Sequence, residues 1–307
     1  MDAKDVRIFC EMAFGTTSFS TVRDRQVSPS AIGRAVGLDE KTVRIRIKRM
    51  EEDGFIKHYQ VLPSLSLLGL NTTTLYRFEA LNLATKRRVV EYTHEIPRVL
   101  ETLDYLGPTV SVSFAGSSPA EVKGSADALA SRFELGRWSL HESVPRRCVH
   151  RMDRTDWMIV KEMRYSARRS TTDVAKALSI TARMAEYRIG RLLESGAVLV
   201  HASIDPQKQT GLVFYELELS VDERERALVA RRLAESYGDR LWSTMTSGRV
   251  MIASMFGFSL GEPEDAAIDV ARFEGVESST LFVLKEAIEP RGPNWIDAQI
   301  EERLASP

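Results

Sequence analysis

The chain repeats itself, and this constrains its fold more than any other feature. "FIKHYQVLPSLSLLGL" at 55–70 aligns with "AVLVHASIDPQKQTGL" at 197–212, so that Gly69 falls on Gly211 and Leu70 on Leu212, 142 positions apart. Gly54 and Gly196 keep the same offset. Further back, "SPSAIGRAVGLD" aligns with "STTDVAKALSIT", placing Ile32 on Val174 and Leu38 on Ile180. At the head of each copy, "DVRIFCEMAF" aligns with "DWMIVKEMRY" at an offset of 151, so the first copy holds nine extra residues within "GTTSFSTVRDRQV". Two units of one kind therefore follow each other along the chain.

Each copy reads as the same series of elements. A first helix covers residues 4–14 or 153–165. Ser28 or Ser170 caps a short second helix, with Pro29 suited to its first position. Asp39 caps a third helix with Glu40 in its first turn, and Gly54 or Gly196 ends that helix. The short strands "FIKHYQVL" and "AVLVHASI" follow. Three helices with a tight turn between the last two, then a strand wing, make a winged helix-turn-helix. The remainder of each copy reads strand, helix, strand, strand, helix, strand, from "TTTLYRFEAL" to "WSLHESV" and from "LVFYELELSV" to "STLFVLKEAI". That is βαββαβ, one antiparallel sheet with two helices on one face. The expected fold is thus α+β: a winged helix-turn-helix and a ferredoxin-like βαββαβ domain, both occurring twice. The boundaries read as 1–70, 71–150, 151–211 and 212–290. A tail at 291–307 ends in a short amphipathic helix.

The third helix of the first copy, "EKTVRIRIKRMEE", carries five basic residues from Lys41 to Arg49. On a helical wheel Val43, Ile47 and Met50 form the core stripe. Lys41, Arg44, Lys48 and Arg49 lie opposite with Ile45 among them, and Arg46 sits on the flank. The acidic residues Glu51, Glu52 and Asp53 fall in the last turn, so the basic face is expected to be unpaired and ready for an external anion. In a winged helix-turn-helix this helix enters the DNA major groove. Arg and Lys bond guanine edges or phosphates, Ile45 meets thymine methyls, and Thr42 lies beside them. Ser28 and the first amides of the second helix suit a phosphate.

The second copy offers an internal comparison. Lys41 becomes Arg183, Arg44 becomes Glu186, Ile45 becomes Tyr187, Lys48 becomes Gly190 and Arg49 becomes Arg191. Its outward face is less positive, although a carboxylate can accept from cytosine N4. "RYSARRS" places Arg168 and Arg169 before the second helix, a site for backbone contact. The first copy is expected to be the main reader, and Arg183, Tyr187 and Arg191 join the candidate contacts of the second.

Net charge is −1, but its distribution is uneven. Residues 151–204 hold 10 basic against 6 acidic side chains, and residues 205–307 hold 11 against 19. The last third is an unsuitable nucleic-acid surface, and the segment before it a suitable one. No apolar run reaches the ~20 residues of a membrane span. The start has no signal-peptide pattern. Cys10 and Cys148 form no CxxC pair. A cytoplasmic protein without metal or cofactor is expected.

"SAIGRAVGLDEKTVRIRIKRMEEDGFIKHYQVLPSLSLLGL" resembles the DNA-binding half of the Lrp/AsnC (feast/famine) transcriptional regulators. "DRTDWMIVKEMRYSARRSTTDVAKALSI" is similar to that family's opening segment. The resemblance implies a regulator of transcription with double-stranded DNA as partner. It also implies a regulatory domain that pairs subunits and often binds amino acids at their interface. The expected unit is then a homodimer through the sheet domains on a pseudo-palindromic operator, or a fused pair that pairs its sheets within one chain. The family's effector loop has a Gly followed shortly by Asp. Here "LGPTVSV" and "SGRVMIA" keep Gly107 and Gly248 without that Asp. Gly107, Thr109, Thr246 and Gly248 are the effector candidates, or simply shape hairpins.

An enzyme class, the siroheme decarboxylases, resembles the same architecture. Its candidate residues here would be His141, Cys148 and His150 in "HESVPRRCVH", with Arg146 and Arg147. Their spacing matches no ligand pattern, and no GxGxxG, P-loop, GxSxG or HExxH occurs. The chain is therefore expected not to be an enzyme, no catalytic residue is assigned, and the non-enzymatic alternative is a partner-binding module that has kept the fold and lost DNA binding.

Overall fold

The computed structural model describes residues 1–13, 29–145, 147–205, 208 and 211–305. Ser28, Arg146 and the inserted residues of the first half lie outside them. Helices α1 (Ala3–Ala13), α2 (Pro29–Val36) and α3 (Glu40–Glu52) precede strand β1 (Ile56–Pro63). Then come β2 (Thr72–Glu79), α4 (Leu83–Thr93), β3 (Val99–Tyr105), β4 (Thr109–Gly116), α5 (Pro119–Phe133) and β5 (Gly136–Ser143). The second half repeats the order with α6 (Arg154–Met163), α7 (Thr171–Ala177), α8 (Ala182–Glu194) and β6 (Val198–Ile204). It continues through β7 (Val213–Val221), α9 (Arg226–Tyr237), β8 (Leu241–Ser247), β9 (Val250–Gly257), α10 (Gly261–Val270) and β10 (Val276–Ile288), and closes with α11 (Trp295–Ala305). The chain is an α+β fold of winged helix-turn-helix and ferredoxin-like parts, each present twice.

Local chemistry explains the helix-turn-helix ends. Asp39 accepts from the Thr42 amide at 2.9 Å, and Thr181 accepts from the Met184 amide at 3.1 Å. These side chains satisfy amides that a helix start leaves open. The turn between α2 and α3 closes on Gly33, where a Cβ would stand 2.4 Å from the Leu38 carbonyl oxygen.

Each half contributes four strands in ferredoxin-like order. The two sets join at β3 and β10 into one eight-stranded sheet, β5-β2-β4-β3-β10-β7-β9-β8. On one face of the strands Tyr76, Phe78 and Phe114 pack under α4 and α5 through Val89, Val122 and Leu129. Leu217, Leu219 and Met255 do the same under α9 and α10 through Val229, Leu233 and Val270. The opposite faces turn toward each other. Leu75 and Leu140 meet Ile252, and the sheet curls until His141 Nδ1 on β5 lies 3.3 Å from the Thr246 carbonyl on β8. The sheet pairing that sequence left open between one chain and two is made within one chain.

The helix-turn-helix parts are exchanged between the halves. Strands β1 and β6 form a separate antiparallel pair. The helices α1–α3 pack through Phe9, Met50 and Phe55 onto Leu212, Phe214 and Phe256, which belong to the second half. The helices α6–α8 pack through Trp157, Val160 and Leu192 with Val61, Leu70 and Ala115 of the first. Helix α11 braces this second cluster with Ile296 and Ile300, and its Trp295 indole donates to the Val99 carbonyl at 2.9 Å.

Candidate nucleic-acid interface

Helix α3 buries Val43, Ile47 and Met50 and turns Lys41, Arg44, Ile45 and Lys48 outward. Ile45 is 59% exposed, an apolar side chain held in solvent at the centre of this face. The expectation that the basic face is unpaired is corrected. Arg44 pairs with Glu40 at 2.6 Å, and Lys48 with Glu52 at 3.3 Å, each four residues apart on the same helix. Arg49 donates to Asp5 at 2.5 Å. Glu40 and Glu52 lie one turn away on the exposed face, where the i,i+4 geometry brings them into reach. Asp5 arrives from α1, a contact that spacing along α3 cannot reveal.

These pairs differ in consequence. Arg44–Glu40 and Lys48–Glu52 are exposed, and such helix pairs are worth about 0.3–0.5 kcal/mol. Pairs this weak and this exposed do not lock either basic side chain. Lys41 makes no ion pair among the described residues. Arg46 and Arg49 share Asp5, which is fully buried, and Arg46 also reaches Asp2 at 2.9 Å. Thr42 donates its hydroxyl to Asp39 at 2.6 Å, which together with the Thr42 amide holds that carboxyl below the ordinary carboxylate range. Lys41, Arg44, Ile45 and Lys48 are thus the exposed side chains of α3 with no ion pair to another element among the described residues, while Thr42, Arg46 and the half-exposed Arg49 hold the motif together.

The second motif repeats the clamp. Arg188, which falls on Arg46 in the repeat, donates to Asp153 and Asp156 at 2.8 Å each. Arg191 meets His150 Nδ1 at 3.5 Å, and His150 Nε2 lies 3.5 Å from Asp156. On the outward face of α8, Arg183 and Glu186 are exposed without ion pairs among the described residues. Tyr187 is 62% exposed, with the Arg191 guanidinium 5.6 Å from its ring centre.

Arg168 and Arg169 are tied down. Arg168 pairs with Glu51 at the end of α3 and lies 3.9 Å over the Tyr59 ring, and Arg169 pairs with Glu162. They border an open depression of about 430 Å³ with Tyr59, Tyr165 and Ser166. Tyr59 itself is buried and donates to Glu51 at 2.6 Å.

The effector candidates serve hairpins at separate places. Gly107 (φ 82°) turns β3 into β4 and its carbonyl accepts from Lys86 Nζ at 2.6 Å. Gly248 (φ 56°) turns β8 into β9. Thr109 is buried at the start of β4, and Thr246 is exposed on β8. The residues weighed for catalysis do not converge. His141 lies at the β5–β8 seam and His150 beside Asp156, while the Cys148 amide donates to Ser66 at 2.9 Å. Among the described residues no three His, Cys, Asp or Glu side chains gather to hold a metal ion, and no helix is long and apolar enough to cross a membrane.

Two buried polar clusters escaped the sequence reading. Arg77 is wholly buried between the facing sheets. It donates to Glu216 at 2.6 Å, Glu218 at 2.7 Å and Ser111 at 3.1 Å, and its guanidinium lies 3.7 Å from the Phe282 ring centre. Tyr105 donates to Glu216 at 2.6 Å. The second cluster joins the wings to the large sheet. Glu289 accepts from Gln60 at 2.7 Å and lies 2.8 Å from His201 Nε2, and Arg164 donates to Gln60 at 2.6 Å. Burial disfavours the His201 imidazolium, but the hydrogen bond and charge of Glu289 outweigh it and hold His201 above its ordinary value. Burial pushes the nearby Glu101 carboxyl up to about 7. A signal for the first cluster was present: Glu216 and Glu218 alternate on one face of a strand, where charge has no place unless paired.

The profile of a winged helix-turn-helix DNA-binding family matches residues 22–57, the stretch that contains α2 and α3. Uncharacterised HTH-type transcriptional regulators of Pyrococcus abyssi and Pyrococcus furiosus are each 34% identical over 74 residues. The match takes in 24% of this chain and 49% of each relative, so the chain spans about half the length of the curated relatives it matches. Among solved structures, the siroheme decarboxylase NirDL is similar over 98% of both chains, at 16% identity and a TM-score of 0.55. NirDL in complex with an iron-uroporphyrin III analogue gives 17% identity and the same TM-score, over 97% of this chain and 95% of that one. This full-length likeness corrects the expectation that the chain is not an enzyme, because the whole two-part architecture is one that an enzyme also has.

Proposed function

We propose that the chain is a sequence-specific DNA-binding regulator of transcription that places α3 in the major groove. The observation that carries this reading is the outward face of α3. Lys41, Arg44 and Lys48 surround the exposed Ile45, inside the segment that matches winged helix-turn-helix DNA-binding proteins. Arg44 and Lys48 release their weak helical partners to bind DNA, and Ile45 supplies apolar contact to thymine methyls. Lys41, at the start of the helix, grips phosphate.

The test is binding of the full chain to a mixed genomic DNA pool across a salt series. Affinity falls log-linearly with salt, and Lys41→Ala makes the slope shallower by about 0.9, the value of one lost phosphate contact. Arg44→Ala weakens sequence preference more than it alters the slope. No binding at low salt would refute the reading.

The full-length likeness to NirDL favours a second reading, an enzyme that acts on a tetrapyrrole. Its test is absorption spectroscopy of the chain with iron-uroporphyrin III or siroheme. A shifted Soret band at stoichiometric ligand and loss of substrate carboxylates support it, and an unchanged spectrum refutes it.

A further inference from the structure

The pairing of β1 with β6 sets Tyr59 opposite Ala202 and Gln60 opposite His201. In the 142-residue repeat Tyr59 corresponds to His201 and Gln60 to Ala202. Each pair is therefore the image of the other, and a pseudo-two-fold axis passes between them. Helices α3 and α8, which precede β1 and β6, are counterparts in the same repeat. A regulator made of two identical chains obtains its second reading helix from a partner. Here the second helix comes from the same chain, with its fold locked to the first by the exchanged cores.

The two helices do not carry the same chemistry. Arg44 on α3 is a donor fork, and its counterpart on α8 is Glu186, exposed and without an ion pair among the described residues. Arg is matched to the O6 and N7 of guanine, and a carboxylate to the N4 amino group of cytosine. Lys48 has Gly190 as its counterpart. A Cβ added at Gly190 would meet no other part of the protein, so packing does not demand the glycine. Within a helix glycine is less favourable than alanine. It leaves bare backbone between Tyr187 and Arg191, open to a close approach. The sheets share this inequality: β3 pairs with β10 in a ladder, whereas the corresponding strands β5 and β8 only touch.

We propose that a single chain is the complete DNA-reading unit and binds a bipartite duplex site with unlike halves. One half carries guanine under Arg44 and the other cytosine under Glu186. This rests on the DNA-binding reading above and specifies its target. The half-site centres lie one helical turn of about 10–10.5 base pairs apart, or a multiple of it.

The test is selection from a random duplex pool by the full chain, with the mass of the complex measured by sedimentation. The expected result is one chain per duplex and a motif that does not match its own reverse complement. Arg44→Ala relaxes base preference in one half and Glu186→Ala in the other, each by roughly 10- to 100-fold at its position. Both side chains are exposed, so the variants keep the fold. A palindromic motif bound by two chains, or a motif that Glu186→Ala leaves intact, would overturn the proposal while sparing the DNA-binding reading. Absence of any selected motif at low salt would remove both.

Discussion

Phe55 stacks on Phe214 with ring centres 6.2 Å apart and planes 12° from parallel. Phe55 follows α3 and so belongs to the first helix-turn-helix, while Phe214 opens β7 in the second half. Through this pair the first helix-turn-helix stands on the sheet of the other half. Phe9 closes on Phe55 edge-on at 5.4 Å.

Removing either ring weakens the whole molecule. Phe55→Ala and Phe214→Ala each cost about 3–5 kcal/mol, the usual range for emptying an aromatic site in a core. The double variant costs less than their sum by about 0.5–3 kcal/mol, because the rings contact each other. Urea denaturation of the four proteins measures both quantities.

Arg77 is a charge wholly buried within the protein. Arg77→Met leaves Glu216 buried without its cation and costs about 3–5 kcal/mol. Adding Glu216→Gln and Glu218→Gln recovers a large part of that loss, since the stranded charges are then gone. Equal instability of the triple and single variants in denaturant would show that packing against Phe282, and not charge, dominates.

Stability depends on pH through the cluster at the wings. His201 titrates above its ordinary value of about 6.5. Its contribution is therefore full below pH 6.5 and is lost as pH rises through the raised value. Glu101, raised from 4.5 to about 7, acts in the same direction between those two limits. Glu289 is lowered despite its burial, by the hydrogen bond and charge of His201, so its contribution appears above the ordinary value and is lost as pH falls through the lowered one. Around His201 stand Glu289, Glu101, His58 and Arg164. Thermal denaturation from pH 5 to 9 is expected to show stability falling from pH 5 through Glu101 and on above pH 6.5 through His201, with only the part above pH 6.5 flattened in His201→Gln. A tenfold difference in acid constant corresponds to about 1.4 kcal/mol.

The twin clamps predict matched variants. Arg46→Met and Arg188→Met each remove charged hydrogen bonds to a buried aspartate and to a half-exposed one, with an expected cost of about 1.5–3 kcal/mol. The two losses add, because the sites share no partner. Chemical denaturation that showed a loss for only one would mean that one clamp is ornamental.

Much of this architecture was readable from residue spacing. The apolar stripe Val43, Ile47 and Met50, the cap at Asp39 and the glycines at 54 and 196 are local signals, and local signals survive folding. The partners of those elements were not readable. Periodicity says which face of a helix is apolar, but not whose surface it meets. Hence the repeat suggested two pairs of domains in series, and the exchange through Phe55 and Phe214 was invisible. The same limit hid Asp5 from Arg49 and Glu216 from Arg77, because each pair spans elements that only the tertiary fold brings together. The charged strand residues Glu216 and Glu218 were the one visible sign that a cation had to come from elsewhere.

The exchanged cores also set the order of events during synthesis. Phe214 leaves the ribosome about 160 residues after Phe55. At ~5–20 residues per second, the apolar underside of the first helices waits roughly 8–30 seconds for its seat. In that interval the nascent chain presents Phe9, Met50 and Phe55 to whatever else is near. A chain on a ribosome further ahead on the same message already carries the matching surface, so pairing between neighbouring chains is the misassembly expected when ribosomes follow one another closely.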